Sequence, residues 1–380
     1  MKTIYDCLVV GAGPAGGVCA YELAKKGLKV LILEKERLPR PKVCAGGLPV
    51  KVAQLLDFDL SPAFETQVRR GVCAFRSLPP FEVDLGEMGG WTVKRANLDH
   101  LIVQKAVEAG AELQEGRHVR EVEMSPDVVI ARTERGECKG RVIVGADGAK
   151  SIVARSLRLL PRRRMAVGLE SELPVDDARL SRWKGRILLD FGSIPGGYGW
   201  IFPKRDHLSV GVGVFVGKVS HMGEVLRRFV ERYLPSHGGK IPMKGHPVPL
   251  GGGGEVLHRG RGLLVGDAAS LADPFLGEGI YYAMRSAQLA AQVIDEAHQE
   301  ALDLSSYTPL VDTQIRREFR YARFIAEICY RFPALGYRLF RGSKVIRERI
   351  VKVVQGEMRY GEFFWSVMRD LPRVLREGLR

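Results

Sequence analysis

The first thirty-four residues carry two features that could do chemistry. One is the glycine-rich turn Gly11-Ala12-Gly13-Pro14-Ala15-Gly16, and the other is Glu34, eighteen residues beyond its last glycine. Gly11 permits a tight turn, Gly13 lets a pyrophosphate come close to the backbone, and Gly16 lets helix and strand pack together. A helix starting at this turn offers free N–H groups and partial positive charge to phosphates. Glu34 stands near the spacing at which an acid accepts from ribose hydroxyls. A lone GxGxxG is weak. One set between two strand-like runs, with the acid in place, points to a bound adenine dinucleotide; the alternative is a turn of purely structural use. Gly11, Gly13, Ala15, Gly16, Glu34 and the adjacent Lys35 are the candidate residues.

These residues need a strand–turn–helix–strand frame, and the chain supplies one. The apolar run ending in Leu8-Val9-Val10 suits a buried parallel strand, and 29–33 reads as the second. Residues 35–49 are rich in Pro, Gly and cations and read as an ordered loop, with a short helix in 50–60. Stretches at 71–75, 81–85 and 91–93 alternate apolar and polar residues as antiparallel strands do. A helix opens at Arg95, and strands follow near 117–123, 128–133 and 138–144. From about 160, short strand-like runs at 165–173, 186–191, 198–203 and 207–216 describe an antiparallel sheet, with a helix at 220–233. The four glycines at 251–254 read as a flexible crossover, since no Lys-Ser/Thr follows them. A buried run at 262–269 and a helix to about 297 come next, and 305–380 reads as helices rich in aromatic residues.

Two later motifs separate one dinucleotide from another. The segments GADGAKS (145–151) and GLLVGDAASLADPFLGEGI (262–280) resemble the DG and GD motifs of flavoproteins of the hydroxybenzoate-hydroxylase type. That resemblance implies FAD. Asp267 can accept from the ribityl hydroxyls. After Gly277, the N–H groups of Gly279 and Ile280 can face the flavin pyrimidine edge and stabilise charge on reduced flavin. The resemblance also places Arg95 against the diphosphate region and brings Val119 and Asp147 into the cofactor set. For Asp147 a plain turn residue capping a strand end stays open.

Pro195-Gly196-Gly197-Tyr198-Gly199-Trp200-Ile201-Phe202-Pro203 resembles the PxxYxWxFP signature of the geranylgeranyl reductase family, with every specified position present. The loop KVCAGGLP (42–49) resembles that family's cysteine-glycine loop beside the flavin, which adds Cys44, Ala45 and Gly47. The resemblance covers roughly residues 1–300 in matching order, and the last eighty residues carry no such signature. It implies an α/β protein: a Rossmann-type FAD-binding domain, an antiparallel-sheet substrate domain and a helical C-terminal region. The expected boundaries are 1–160 for the first part of the FAD-binding domain, with strands near 67–93 lent to the substrate domain. The substrate domain takes 161–255, the return of the FAD-binding domain 256–300, and the helical region 301–380. The implied activity is reduction of C=C bonds in a prenyl (geranylgeranyl-like) chain on a lipid, a chlorophyll precursor or a quinone. NAD(P)H or ferredoxin is the expected electron donor.

The residues agree with this on physical grounds. Tyr198, Trp200 and Phe202 alternate along one strand, so their rings share a face. A wall of rings suits a chain that offers dispersion and no hydrogen-bonding groups, although the same pattern also builds ordinary core. Cys44 can bind or protonate substrate, or simply touch flavin. The catalytic candidates are Cys44, Tyr198 and Trp200, and the substrate-binding ones Tyr198, Trp200 and Phe202. A flavin monooxygenase or epoxidase acting on an apolar or aromatic substrate uses the same cofactor motifs and is the alternative. Saturated product formed without oxygen separates the two.

Composition bounds the rest. With 380 residues, 46% of them hydrophobic, the chain can bury more than one core. Its net charge of +14 suits an anionic partner. No zinc spacing or RNA-binding signature speaks for nucleic acid. His207, His221, His237, His246 and His258 show no metal spacing, so no metal is expected and most should be solvated. Arg162-Arg163-Arg164 reads as a solvated charge run that could also face phosphate. Six scattered cysteines and no leader or spanning segment read as a reduced cytoplasmic protein. Residues 301–380 hold 16 Lys/Arg against 9 Asp/Glu, interleaved with aromatic and aliphatic residues. That pattern suits either the surface of an anionic membrane, at the inner face of the bilayer, or helices with one solvated face.

Overall fold

Strand Ile4–Val10 is buried at every position from Cys7 to Val10, and both of its edges carry parallel neighbours, Val30–Leu33 and Gly136–Gly145. From Cys7 to Val10, covered on both faces, the strand has no position for a polar side chain, which is why that stretch reads as an unbroken apolar run. The computed structural model describes residues 3–76, 78–87, 89–159, 164–235, 239–299 and 302–378; Arg162, Arg163 and His237 lie outside them. The mixed α/β class expected from the sequence is present.

The chain divides into two units. The first comprises Met1–Lys42, Ala96–Arg164 and Val248–Phe319, and the second Val43–Arg95, Met165–Pro247 and Arg320–Arg380. In the first unit the sheet runs Gly262–Leu264, Gly136–Gly145, Ile4–Val10, Val30–Leu33, Glu112–Gln114, all parallel, with the hairpin Val119–Met124 and Val129–Thr133 attached. Helix Pro14–Lys25 packs closely enough on helix Arg95–Glu108 that a Cβ on Gly17 would sit 2.7 Å from Ile102. The expected helix in 50–60 shrinks to Val50–Ala53.

The second unit is built on a seven-stranded sheet in the order Lys244–Leu250, Arg164–Pro174, His207–Val214, Gly197–Pro203, Arg186–Asp190, Arg70–Phe75, Leu78–Asp84. It is not purely antiparallel: Arg186–Asp190 runs parallel to Arg70–Phe75. No hairpin joins those two strands, so turn geometry does not set their direction. The edge strand Lys244–Leu250 is also an addition to the sequence reading. One face of this sheet carries Leu188, Ile201, Leu208, Val210 and Val212, sealed by helix Met222–Tyr233 through Leu226, Phe229 and Val230. Each such side chain contributes roughly 1.5–3 kcal/mol by leaving water. Phe64–Val68, Gly47–Pro49 and Gly90–Val93 form a small third sheet.

The chain ends in helices, with buried faces and exposed ones. Tyr337 donates its hydroxyl to the carbonyls of Pro79 (2.9 Å) and Cys73 (3.2 Å), and Gln355 donates to Leu85. Outward, Phe324, Phe332 and Trp365 are each more than half exposed.

Candidate functional site

In the first unit the parallel strands end level: Val10 is paired with Leu33 on one side and with Gly145 on the other, and Gly145 with Leu264. The chain leaves Ile4–Val10 toward one edge and later returns on the opposite side, so Ile4–Val10 and Gly136–Gly145 flank the topological switch point. Ligands of open parallel sheets bind beyond the carboxyl ends of the strands there. The loops that leave those ends are the glycine turn, Glu34, Asp147 and Asp267.

Their geometry is specific. Gly11 has φ +103°, and a Cβ there would lie 2.5 Å from the Ala146 carbonyl oxygen. On Gly16 it would lie 1.8 Å from the Gly11 carbonyl oxygen. Helix Pro14–Lys25 begins at Gly13 with no side-chain cap, so its first N–H groups point outward for a phosphate. Glu34, 2% exposed, accepts from the Ala12 N–H at 2.7 Å and from the Glu36 N–H at 3.1 Å, which ties the acid to the turn. Behind it Arg40 lies 3.5 Å from Glu34 and 3.0 Å from the fully buried Asp99. Asp267 faces Lys42 at 3.7 Å through Oδ2, while Oδ1 would be 3.9 Å from a Cβ on Gly279, just ahead of helix Ile280–Gln299. Gly277, at φ +71°, makes the turn into that helix.

Asp147 is the capping residue that the sequence left open. Its Oδ2 accepts from Ile152 (2.6 Å) and Val153 (3.2 Å), while Oδ1 is buried with no hydrogen-bond partner. Burial raises its pKa against the pull of those N–H groups. The side-chain-free cradle, the open helix start and this unmatched oxygen fit FAD. Of the remaining expected cofactor residues, Arg95 is buried at the first position of its helix and Val119 is buried in the attached hairpin; Lys35 is exposed, 3.8 Å from Glu36.

In the second unit the cysteine-glycine loop is held from two sides. The Cys44 N–H donates to Glu170 Oε1 at 3.0 Å, and the Gly46 N–H to Cys44 Sγ at 3.4 Å. Lys204 donates to the carbonyls of Ala45 (2.7 Å) and Val93 (2.9 Å). Gly46 sits at φ +67°, where a Cβ would be 2.1 Å from the Val93 oxygen, and the Phe202 ring covers Gly47. Burial lowers the Lys204 pKa and pushes Glu170 up to about 7, with Glu172 adding to the latter shift. Glu170 and Lys204 escape sequence reasoning because each stands among other charges, Glu170 two residues from Glu172 and Lys204 beside Arg205 and Asp206, and so reads as ordinary solvated charge. Their contacts bridge 126 and 159 residues of chain.

Tyr198, Trp200 and Phe202 do share a face, opposite the sealed one. Across the sheet Trp200 is level with Gly211, and Gly211 with Glu170. The indole lies flat on Gly211, where a Cβ would come within 2.1 Å of the ring, and reaches toward Gly168 and Gly213. Tyr198 meets Trp200 edge-on and stacks on Phe215, which stacks on Tyr330. The result is a single layer of rings laid on bare backbone. The alternating Ser-Val-Gly-Val-Gly-Val of 209–214 was the signal for it: valines to the core, glycines under the rings.

His207 departs from expectation: it bridges Glu172 and Asp206 and is only partly exposed. Burial opposes its charge, but those two bonds outweigh burial and raise its pKa. Gly251 is not a free crossover either, for a Cβ there would meet Phe319 at 2.1 Å. Among the described residues no group of His, Cys, Asp and Glu could hold a metal ion. Nor is any helix among them long and apolar enough to cross a membrane.

Comparison with known proteins bears on both units. Residues 4–185 match the FAD binding domain family, and residues 185–245 the geranylgeranyl reductase catalytic domain. Digeranylgeranylglycerophospholipid reductase 1 of Methanopyrus kandleri is 32% identical over 85% of this chain and 90% of its own. The chloroplastic geranylgeranyl diphosphate reductase of Nicotiana tabacum is 28% identical over 85% and 74%. A geranylgeranyl bacteriochlorophyll reductase-like crystal structure from Thermoplasma acidophilum shares the fold at a TM-score of 0.78, with 23% identity and 99% of both chains covered.

Proposed function

This chain belongs to the geranylgeranyl reductase family, FAD-dependent oxidoreductases that saturate prenyl C=C bonds, and from that premise we propose that it reduces geranylgeranyl chains borne on a phosphate-containing head. The observation that carries the reading is the ring layer of Tyr198 and Trp200, laid on glycine backbone in the same unit as the clasped Cys44 loop. Flat, apolar and free of charge, it suits an isoprenoid chain. The relatives act, by name, on a phospholipid and on a diphosphate, and the net charge of +14 favours such heads.

Bound FAD, once reduced, supplies hydride to one carbon of the alkene. The chain's own residues do the rest. Gly11, Gly13, Ala15, Gly16 and the helix start take the diphosphate, Arg95 supports it, and Glu34 with Lys35 and Val119 serves the adenosine end. Asp147 and Asp267 accept from the ribityl side, and Gly277, Gly279 and Ile280 serve the flavin ring, while Ala45 and Gly47 shape the cysteine-glycine loop. Tyr198 and Trp200 hold the chain and exclude water, and Cys44 contacts it near the reacting bond. Phe202 acts through Gly47, which its ring covers.

The test is anaerobic incubation of dithionite-reduced holoenzyme with a geranylgeranyl phospholipid, followed by mass spectrometry. Gains of two hydrogens per step are expected. No gain without oxygen, and an added oxygen atom with it, would replace this reading by monooxygenation. In the same assay Cys44→Ala should slow turnover roughly tenfold or more while flavin stays bound.

The donor of electrons is NAD(P)H or a ferredoxin, and the basic surface favours the acidic carrier. Salt-sensitive reduction by ferredoxin, outrunning NADPH, is the expected result. The substrate is met at an anionic bilayer. Of the fourteen large apolar residues that stand exposed among the described residues, eight lie between Phe324 and Leu375, where Lys and Arg also concentrate. Such a surface pairs headgroup charge with shallow apolar insertion.

A further inference from the structure

Glu170 has no role in what has been described beyond bonding the Cys44 N–H, yet its setting is costly. It is 5% exposed, and its second oxygen, Oε2, is fully buried with no hydrogen-bond partner. A buried carboxylate oxygen without a donor is expensive to keep and is rare unless it works. It lies on the ring-bearing face of the sheet, level with Trp200 across Gly211, and the indole leans toward its strand over Gly168. The Trp200 Nε1 is likewise buried without a partner. Saturating an isolated alkene requires a proton on one carbon as well as hydride on the other, in a place from which water is kept out.

We propose that Glu170 is the general acid of the reduction. Its O–H bond breaks, the alkene π pair forms the new C–H bond, and the hydride from reduced flavin completes the neighbouring carbon as the flavin is oxidised. The carboxylate left behind is reprotonated from solvent between turnovers. The inference rests on the prenyl-reductase reading above.

The groups around Glu170 are mixed. Glu172 on its own strand and burial favour the protonated form, while the Cys44 N–H, Lys204 and Lys244 favour the anion. His207 bonds Glu172 through one ring nitrogen and Asp206 through the other. The balance leaves the carboxyl titrating near 7, where a general acid is most useful.

Single-turnover rates of the reduced holoenzyme on a geranylgeranyl phospholipid, from pH about 5 to about 9, give the test. Wild type should slow up to tenfold per pH unit above about 7, the form that must be protonated being lost. Glu170→Gln should fall by roughly a hundredfold or more and lose that pH break, Glu170→Asp should restore part of both, and Cys44→Ala should keep the break. A second readout needs no turnover: infrared difference spectra of the holoenzyme without lipid should show a protonated carboxyl that titrates near 7 and is absent in Glu170→Gln. An active wild type whose Glu170→Gln variant keeps its rate, or slows with the pH break intact, overturns the acid and leaves the reductase reading standing. A wild type that saturates nothing overturns both.

Discussion

Lys204 places its ammonium between the carbonyls of Ala45 and Val93, and Met in its place would leave both without a donor. We expect Lys204→Met to lower stability by about 2–4 kcal/mol in urea unfolding. Its neighbour Glu170 shifts the other way with pH. A carboxyl moved from 4.5 to about 7 binds its proton more tightly folded than unfolded. Its stabilising effect is therefore full below pH 4.5 and declines until pH passes about 7. Above that pH, Glu170→Gln should be more stable than wild type by up to about 3 kcal/mol, less what losing the anion costs Lys204. Thermal melts across that range check the sign. Such residues were illegible in the sequence for a physical reason. Glycines and apolar runs act on their own neighbours in the chain, whereas Arg40–Asp99 and Cys44–Glu170 are chosen by partners 59 and 126 positions away.

At the level of elements the two halves of the chemistry separate. Gly16→Ala would drive a methyl into the Gly11 carbonyl, so the strand–turn–helix must open and the purified protein should be colourless after FAD is offered. Gly211→Ala would instead push a methyl into the Trp200 ring. It should retain flavin absorbance and lose roughly a hundredfold in turnover, since a displacement of about 1 Å can cost that much. The central parallel strands could be read because their buried runs, 7–10, Val30–Leu33 and 142–144, are apolar throughout, whereas the partly exposed edge strand Glu112–Gln114 was not. The face of Tyr198 and Trp200 could be read because strand period is two. The parallel pairing of Arg186–Asp190 with Arg70–Phe75 could not, because it depends on the path of all the chain between them.

For the whole molecule, the proposed contact of the basic, ring-rich carboxyl-terminal helices with an anionic bilayer has a direct test. Flotation should show binding to vesicles containing phosphatidylglycerol, weakened at high salt, and little binding to neutral ones. Failure to bind either would remove the bilayer from the proposal. The aromatic layer bears on how the reaction proceeds. Because Trp200 rests on glycine, nothing beneath it forms a notch that could register one isoprene unit against the next. A paving without landmarks holds every repeat of the chain equally well, so saturation should advance by slippage. Early time points should then contain a ladder of partly hydrogenated lipids before the final product accumulates.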